Sequence, residues 1–161
     1  MTTTTKTNPA ATLARTGERQ FQVERIFDAP RERVWRAMTD PKLVAQWWGR
    51  GNRLDVQELD VKVGGFWRFV EHADGTQYGF RGRFREVTPP SRVVQTFEFD
   101  GMPGYVCVND TTLVDLGDGR TKLVVVSLFH TPEELEGMLR SGMETGMNQS
   151  YAALDKLLAS L

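Results

Sequence analysis

Cysteine is almost absent from this sequence, and neither sign of charge is in excess. Cys107 is the only cysteine among 161 residues, which excludes an internal disulfide and suits a reducing compartment. The formal net charge is −1, without the basic excess that phosphate binding requires, so we expect no nucleic-acid partner. No apolar run approaches the ~20 residues of a membrane span, and the N-terminus lacks the apolar segment of a secretory signal. We therefore expect a cytoplasmic protein with no membrane insertion.

Motifs for metal binding, cofactor binding and nucleophilic catalysis are also missing. The two histidines, His72 and His130, stand at no spacing typical of metal ligands. Gly64-Gly65 is not followed by the Gly-Lys-Ser/Thr of a phosphate-binding loop. Cys107 lies within a strand candidate, where a free cysteine is expected to be a small buried apolar residue. The sequence thus predicts no metal, no cofactor and no catalytic residue, which favours a binding protein over an enzyme.

The N-terminal third predicts a tail, a strand and two short helices. Residues 1–17 are rich in Thr and Ala and are expected to be a disordered tail, with a single domain over 18–161. Apolar residues alternate over 20–27, as in a strand with one buried face. A helix is expected through 34–38, and Asp40-Pro41 predicts the capped start of a second helix that ends near Gly49.

From residue 53 to residue 129 the hydrophobic pattern has a period of two, which predicts a series of strands. The candidates are 53–61, 66–72, 78–88, 92–99, 105–116 and 120–129. Short turns rich in Gly, Pro and Asp separate them, and such connections force neighbouring strands to be antiparallel. The sequence therefore predicts a meander of six strands, or seven with the strand at 20–27.

The C-terminal segment predicts one long helix over 132–159, about 40 Å in length. Thr131-Pro132-Glu133-Glu134 has the residues of a capping box. Apolar residues at three- and four-residue steps then form a stripe. The glycines at 137, 142 and 146 interrupt this helix, and they either allow close approach to the sheet or leave room for a ligand.

A cavity is expected between the sheet and this helix, because one helix about 10–12 Å wide cannot fill the concave face of a broad, twisted sheet. A fully packed core is the open alternative. The apolar residues predicted to contact a ligand are Trp35, Trp47, Trp48, Trp67, Phe69, Phe80, Phe84, Phe97, Met138, Gly142, Met143, Met147 and Tyr151.

Two charged residues are placed by strand phase on the inward face. Arg25 shares a face with Phe21 and Phe27, and Glu86 shares one with Phe84. Each is a candidate to bind the polar end of a ligand, or simply lies at a strand end where water reaches it. Asp110 and Asn148 are weaker candidates of the same kind.

Several motifs resemble the SRPBCC, or START-like, superfamily, in the branch named after the activator of heat-shock protein 90 ATPase. They are DAPRERVWRAMTDP at 28–41 followed by Trp47-Trp48, LDVKVGGFW at 59–67, GRFREVTPPSRVV at 82–94 and SGMETGMNQSYAALDKLL at 141–158. The resemblance implies an α+β helix-grip (Bet v-like) fold with a pocket for hydrophobic or amphipathic molecules. The branch often has Gly-Trp where Ser150-Tyr151 stands here, so the identity of a ligand is not implied.

Three functions follow as hypotheses. The first is binding of a hydrophobic or aromatic small molecule for transport, sequestration or sensing. The second is an enzyme of the polyketide-cyclase or hydrolase type that uses the same pocket, as the superfamily includes such members. The third is a protein-binding domain with a chaperone partner, and homodimerisation also remains open.

Overall fold

The computed structural model describes residues 8–161, which form eight strands and four helices. The elements in chain order are β1 (Thr12–Gly17), β2 (Gln20–Phe27), α1 (Arg31–Thr39), α2 (Pro41–Trp47), β3 (Arg53–Leu59), β4 (Phe66–Ala73), β5 (Thr76–Thr88), β6 (Arg92–Phe99), β7 (Val106–Gly117), β8 (Arg120–Leu128), α3 (Pro132–Arg140) and α4 (Met143–Ser160). The strand predictions from 20–27 and from 53 onwards are confirmed to within two residues at most ends.

All eight strands form one antiparallel sheet in the order β1-β2-β8-β7-β6-β5-β4-β3. Consecutive strands from β3 to β8 are neighbours, and β2 closes the order by pairing with β8 along its whole length. Register shifts interrupt four of the strand pairs, including β5–β6 between Phe84 and Glu86. Such bulges bend a strand and increase its twist, so the sheet is curved. The predicted α+β helix-grip architecture is confirmed.

The prediction of a disordered tail over 1–17 is wrong for its last part. Residues 12–17 form β1, the edge strand beside β2, with Leu13 opposite Val23. The burial of β1 is slight, which is why its composition resembles that of a tail. Backbone pairing with β2 stabilises this strand without a hydrophobic pattern of its own. Residues 1–7 of the predicted tail lie outside the described residues.

The helices α1 and α2 form the predicted insertion between β2 and β3. Asp40 ends α1 and begins α2, where its carboxylate accepts a hydrogen bond from the backbone N–H of Lys42 at 2.9 Å. The indole N–H of Trp47 donates to the carbonyl oxygen of Ala37 at 2.8 Å and links the two helices. This link fixes the end of α2, from which Trp48 and Arg50 extend toward the sheet.

The single long C-terminal helix that the sequence predicts is instead two helices. The capping box at Thr131 and Glu134 begins α3 as predicted. However, α3 ends at Arg140, and Gly142 has a left-handed backbone with φ of +82° before α4 begins. This conformation ends a right-handed helix, and glycine adopts it without the steric cost that a Cβ brings. The second half of α4 carries the buried residues Tyr151, Leu154, Leu157 and Leu158.

The hydrophobic core consists of two clusters on the concave side of the sheet. One joins α1 and α4 to β2, β7 and β8, and it includes Phe27, Leu123 and Leu154. The other joins α2 to β3–β6, and it includes Trp67 and Phe84. Partly buried aromatic residues such as Phe97 contact both clusters. The candidate site lies between these clusters.

Candidate functional site

A cavity of ≈ 650 Å³ lies between the concave face of the sheet and the helical layer. This volume is within the roughly 300–1,000 Å³ of typical small-molecule sites. Most of the lining surface is apolar. The sheet and α2 contribute Trp47, Trp48, Trp67, Tyr78, Phe80, Phe97 and Phe99, and the opposite side is formed by Met138, Met143, Met147 and Tyr151.

The aromatic wall of the cavity is centred on Trp48. Its ring centroid lies 4.9 Å from that of Phe80 and 5.1 Å from that of Phe69, both in edge-to-face orientation. Trp48 caps α2, and Gly49 follows with φ of +98° and turns the chain away from the helix. Edge-to-face contacts of this kind favour one ring arrangement over others. The wall is therefore preformed.

The methionine side of the cavity continues into a smaller space of ≈ 180 Å³. Met138, Met143, Met147 and Tyr151 line both spaces, while Phe21 and Val23 line only the smaller one. Unbranched methionine side chains adapt to guests of different shape. The cavity therefore has one rigid aromatic wall and one adaptable wall.

An ion pair between the buried Glu71 and the exposed Arg50 forms the polar end of the cavity. The Glu71 side chain is only 3% exposed and lines the cavity at its position on β4. Its Oε2 accepts hydrogen bonds from Arg50 Nε at 3.0 Å, from Arg50 Nη2 and from Asn52 Nδ2 at 3.0 Å. These contacts with Glu71 raise the pKa of the Arg50 guanidinium above its usual value. Arg50 therefore stays protonated and compensates the carboxylate charge.

Arg50 is held in place from both sides. Its backbone is left-handed with φ of +61°, and its N–H donates to Ser150 Oγ at 2.9 Å. A Cβ at Gly146 would lie 3.0 Å from Arg50 Cδ, so the glycine on α4 makes room for this side chain. Gly146 thus allows a close approach by Arg50. Of the two roles considered for the helix glycines, close approach or room for a ligand, close approach applies at this position.

Other polar groups that line the cavity are hydrogen-bonded within the protein or uncharged. Asn109 Oδ1 accepts a hydrogen bond from the Ser127 hydroxyl at 2.7 Å. Burial raises the pKa of the Cys107 thiol to about 12, and burial likewise raises the pKa of Tyr151 to about 12. Both groups are protonated at neutral pH, so neither is an activated nucleophile or base.

Ten of the residues predicted to contact a ligand line the cavity: Trp47, Trp48, Trp67, Phe80, Phe97, Met138, Gly142, Met143, Met147 and Tyr151. Three others lie in the surrounding core instead. Phe69 and Phe84 are buried behind the wall, and Trp35 packs between the two core clusters. These three side chains support the cavity without facing it.

Neither Arg25 nor Glu86 lines the cavity, so the ligand-binding interpretation of both is corrected, whereas the alternative of a water-exposed position agrees with the structure for Glu86. Arg25 is buried, but its guanidinium donates to both carboxylate oxygens of Asp155 on α4, with 3.1 Å between Nη1 and Oδ1. Glu86 follows the bulge in β5, which changes the phase of the strand, and its side chain is 59% exposed beside Arg92.

The two weaker polar candidates are also engaged elsewhere. Asp110 pairs with Arg92 on the neighbouring strand, where its Oδ2 lies 2.7 Å from Arg92 Nη2. Asn148 Oδ1 accepts a hydrogen bond from the backbone N–H of Ala11 at 3.0 Å. The latter contact connects the chain just before β1 to α4.

Sequence reasoning missed the polar end of the cavity. Glu71 was detectable, since strand phase places it on the same face as Trp67 and Phe69. Arg50 was not, because it lies in a turn with no periodic pattern. Its proximity to Glu71 depends on how α2 packs against the sheet.

Two further features bear on what this part of the chain can hold. Within residues 8–161, no group of three or more His, Cys, Asp or Glu side chains is placed to bind a metal ion. No helix in that range combines the length and the apolar character needed to cross a bilayer.

Solved structures similar to this one come from several bacteria. A protein from Rhodobacter sphaeroides is 27% identical, with a TM-score of 0.84 over 94% of this chain and 99% of that one. A protein from Chromobacterium violaceum is 31% identical, with a TM-score of 0.70 over 87% and 96% of the two chains. DynU16, a protein of the dynemicin biosynthetic locus, is 26% identical, with a TM-score of 0.64 over 87% of this chain and 47% of that one.

Curated proteins give no significant match to the chain. The family model described as activator of Hsp90 ATPase homolog 1-like protein matches residues 28–159, which is most of the chain. This match agrees with the motifs at both ends of that range and with the helix-grip fold. The chain belongs to the activator of Hsp90 ATPase homolog 1-like (AHSA1) family.

Proposed function

We propose that this protein binds a hydrophobic or amphipathic small molecule in its internal cavity. The observation that carries this proposal is the ≈ 650 Å³ space between an aromatic wall and a methionine wall. Native interiors are usually close-packed, and a void of this size forfeits contacts that a guest restores. If the space had no function, larger side chains could fill it and would stabilise the core.

Binding is favoured over catalysis by the state of the polar groups. The thiol of Cys107 and the phenol of Tyr151 are protonated at neutral pH, and the carboxylate of Glu71 is paired with Arg50. A general base must be free to take a proton and have a pKa near the working pH. The polar groups of the cavity therefore serve to orient and select a ligand.

One of the similar proteins, DynU16, is described as a protein in the dynemicin biosynthetic locus. Independently of that, the ring-lined wall around Trp48 suits an aromatic ligand. The ligand panel that tests the proposal should therefore include aromatic polyketides as well as fatty acids.

The proposal predicts that at least one apolar class in such a panel binds the purified full-length chain with 1:1 stoichiometry by native mass spectrometry. Val125 faces the cavity from β8, so Val125→Phe fills part of the space and should weaken binding at least about tenfold, which is ~1.4 kcal/mol. Val126 is the next residue on the strand and lies on the opposite face, so Val126→Phe is the matched control and should bind like the wild type. Equal binding by both variants, or no binding of any class by the wild type, would contradict the proposal.

A further inference from the structure

Glu71 is a buried carboxylate with two very different oxygens. Oε2 receives all the hydrogen bonds from Arg50 and Asn52. Oε1 accepts none from any residue in the described part of the chain, although the side chain is only 3% exposed and lines the cavity. In the described residues the fully buried side-chain atoms without a partner are Arg25 Nε and Arg31 Nε, so Oε1 of Glu71 keeps contact with solvent. A carboxylate oxygen that loses this contact without gaining a donor is strongly unfavourable, so a ligand that covers Oε1 has to supply one.

The charge of this carboxylate is already compensated. Arg50 lies against Oε2, and Ser150 and the space at Gly146 fix the arginine there. A cationic ligand would bring a second positive charge beside Arg50, and an anionic ligand would bring a second negative charge beside Glu71. The anionic arrangement leaves a charge without compensation beside a carboxylate that is only 3% exposed. The cationic arrangement adds repulsion from Arg50, which water screens in part because this side chain is 40% exposed. An uncharged donor fits Oε1 without either cost.

The surroundings of Glu71 indicate what carries that donor. Tyr78 is directly opposite Glu71 on β5, and Phe80 and Phe99 continue the same wall. The Tyr78 and Phe99 ring centroids are 6.3 Å apart, and those of Phe80 and Phe99 are 5.3 Å apart. A flat apolar body on these rings brings its edge toward the carboxylate. A hydroxyl on that edge is the simplest uncharged donor.

We propose that the cavity selects uncharged apolar molecules bearing a hydroxyl group, which donates a hydrogen bond to Glu71 Oε1. The inference rests on the proposed function and specifies its ligand class. In the absence of a guest, solvent in the cavity would satisfy Oε1. A guest of the same shape without a donor would displace that solvent and leave the carboxylate oxygen without a partner. Selectivity thus arises mainly from rejection of the wrong guest, as in sites built to hydrogen-bond a hydroxyl.

The test uses four probes with one ring system and one changed group: 2-naphthol, 2-methylnaphthalene, 2-naphthoic acid and 2-naphthylmethylamine. Isothermal titration calorimetry on the full chain at pH 7 should show 2-naphthol binding at least about tenfold more tightly than each of the others. In Glu71→Met the preference for 2-naphthol over 2-methylnaphthalene should fall to within about twofold. Glu86→Met is the matched control, because this exposed carboxylate lies outside the cavity, and it should keep the wild-type preference.

Removal of Glu71 leaves Arg50 without its partner, so the single variant risks poor folding. The double variant Glu71→Met/Arg50→Met removes both charges and gives the same readout. Tighter binding of 2-methylnaphthalene or of either charged probe by the wild type would overturn the inference and leave the proposed function standing. A preference that survives in the Glu71 variants would overturn it in the same way. Absence of binding by all four probes would also overturn it, while the broader ligand panel decides the proposed function separately.

Discussion

At the scale of single residues, Arg25 and Glu71 show how two buried charges on the same sheet serve different ends. Arg25 has its charge compensated by Asp155 on α4, and its guanidinium lies 4.7 Å from the ring centroid of Phe27. Both of its terminal nitrogens are engaged. Glu71 lines the cavity and accepts hydrogen bonds from Arg50 and Asn52 on Oε2 alone. Arg25 therefore holds α4 to β2, whereas in our proposal Oε1 of Glu71 accepts a hydrogen bond from a ligand.

Asp155→Ala is expected to lower the free energy of unfolding by about 3 kcal/mol, because it leaves the buried guanidinium of Arg25 without a counter-charge. Asp155 is itself 32% exposed, so water reaches part of the pair and the loss falls at the lower end of the range for buried pairs. Urea unfolding followed by circular dichroism measures it.

The control is Asp110→Ala, which breaks the more exposed pair with Arg92 and should cost no more than about 1 kcal/mol. Equal losses for the two variants would show that the Arg25–Asp155 pair is not a buried structural contact. Ligand affinity should be unchanged in Asp155→Ala, since neither Arg25 nor Asp155 lines the cavity.

At the scale of secondary-structure elements, the helical segment after β8 shows what a sequence pattern can and cannot give. The capping box at Thr131 and the apolar stripe predicted a helical segment with the right start, and both are confirmed. The break at Gly142 was not predicted, because a glycine in a helical pattern is compatible with either backbone hand. Whether Gly142 adopts the right-handed or the left-handed backbone depends on how α3 and α4 pack in the folded protein. The sequence around Gly142 does not contain that information.

The same limit explains the errors on β1 and β5. The pattern of β5 gave its inward face correctly up to Phe84, but the bulge that follows moves Glu86 to the outside. A bulge inserts one residue without changing composition, so strand phase beyond it cannot be extrapolated. For β1 the missing information was the free edge of β2, which exists only once the sheet has formed.

The glycines of α3 and of the break should respond to alanine in opposite ways. Gly137 lies within α3 with ordinary helical backbone, and a Cβ there would meet no atom within 4 Å. Gly137→Ala is therefore expected to stabilise the protein by about 0.8–1.0 kcal/mol. Gly142→Ala should destabilise it by about 1–2 kcal/mol, since alanine is strained at a φ of +82°.

Thermal and urea unfolding of the two variants measure both effects. Because the two sites are five residues apart on the same surface segment, differences in the unfolded chain largely cancel in the comparison. Stabilisation by both substitutions would mean that α3 and α4 form one continuous helix in solution.

At the scale of the whole molecule, the cavity lies between two core clusters that few side chains join. Trp67 belongs to the cluster around α2, and Leu123 belongs to the cluster around α4, yet both line the same space. A guest in this space contacts both clusters at once. Ligand binding should therefore stabilise the folded chain as a unit.

A ligand present at one hundred times its dissociation constant is expected to raise the free energy of unfolding by about 2.7 kcal/mol. For a chain of this length that corresponds to a rise in Tm of roughly 5–10 °C. Differential scanning calorimetry across a ligand titration measures the rise, and Val125→Phe, with an affinity about tenfold weaker, should show about half of it at the same ligand concentration. A Tm independent of ligand in the wild type would argue against occupancy of the cavity.

The division of the C-terminal segment into α3 and α4 has a consequence for how such proteins diverge. The cavity-lining residues between 138 and 150 precede the buried anchors Leu154, Leu157 and Leu158 of α4. They are Met138, Ser141, Gly142, Met143, Gly146, Met147 and Ser150. Substitutions of the lining methionines alter the shape of the cavity, whereas substitutions of the leucine anchors act on folding. Gly142 and Gly146 in the first stretch are constrained by a left-handed backbone and by the contact with Arg50. If the cavity binds a ligand as proposed, we expect its shape to be tuned at these methionines while the leucine anchors of α4 stay unchanged.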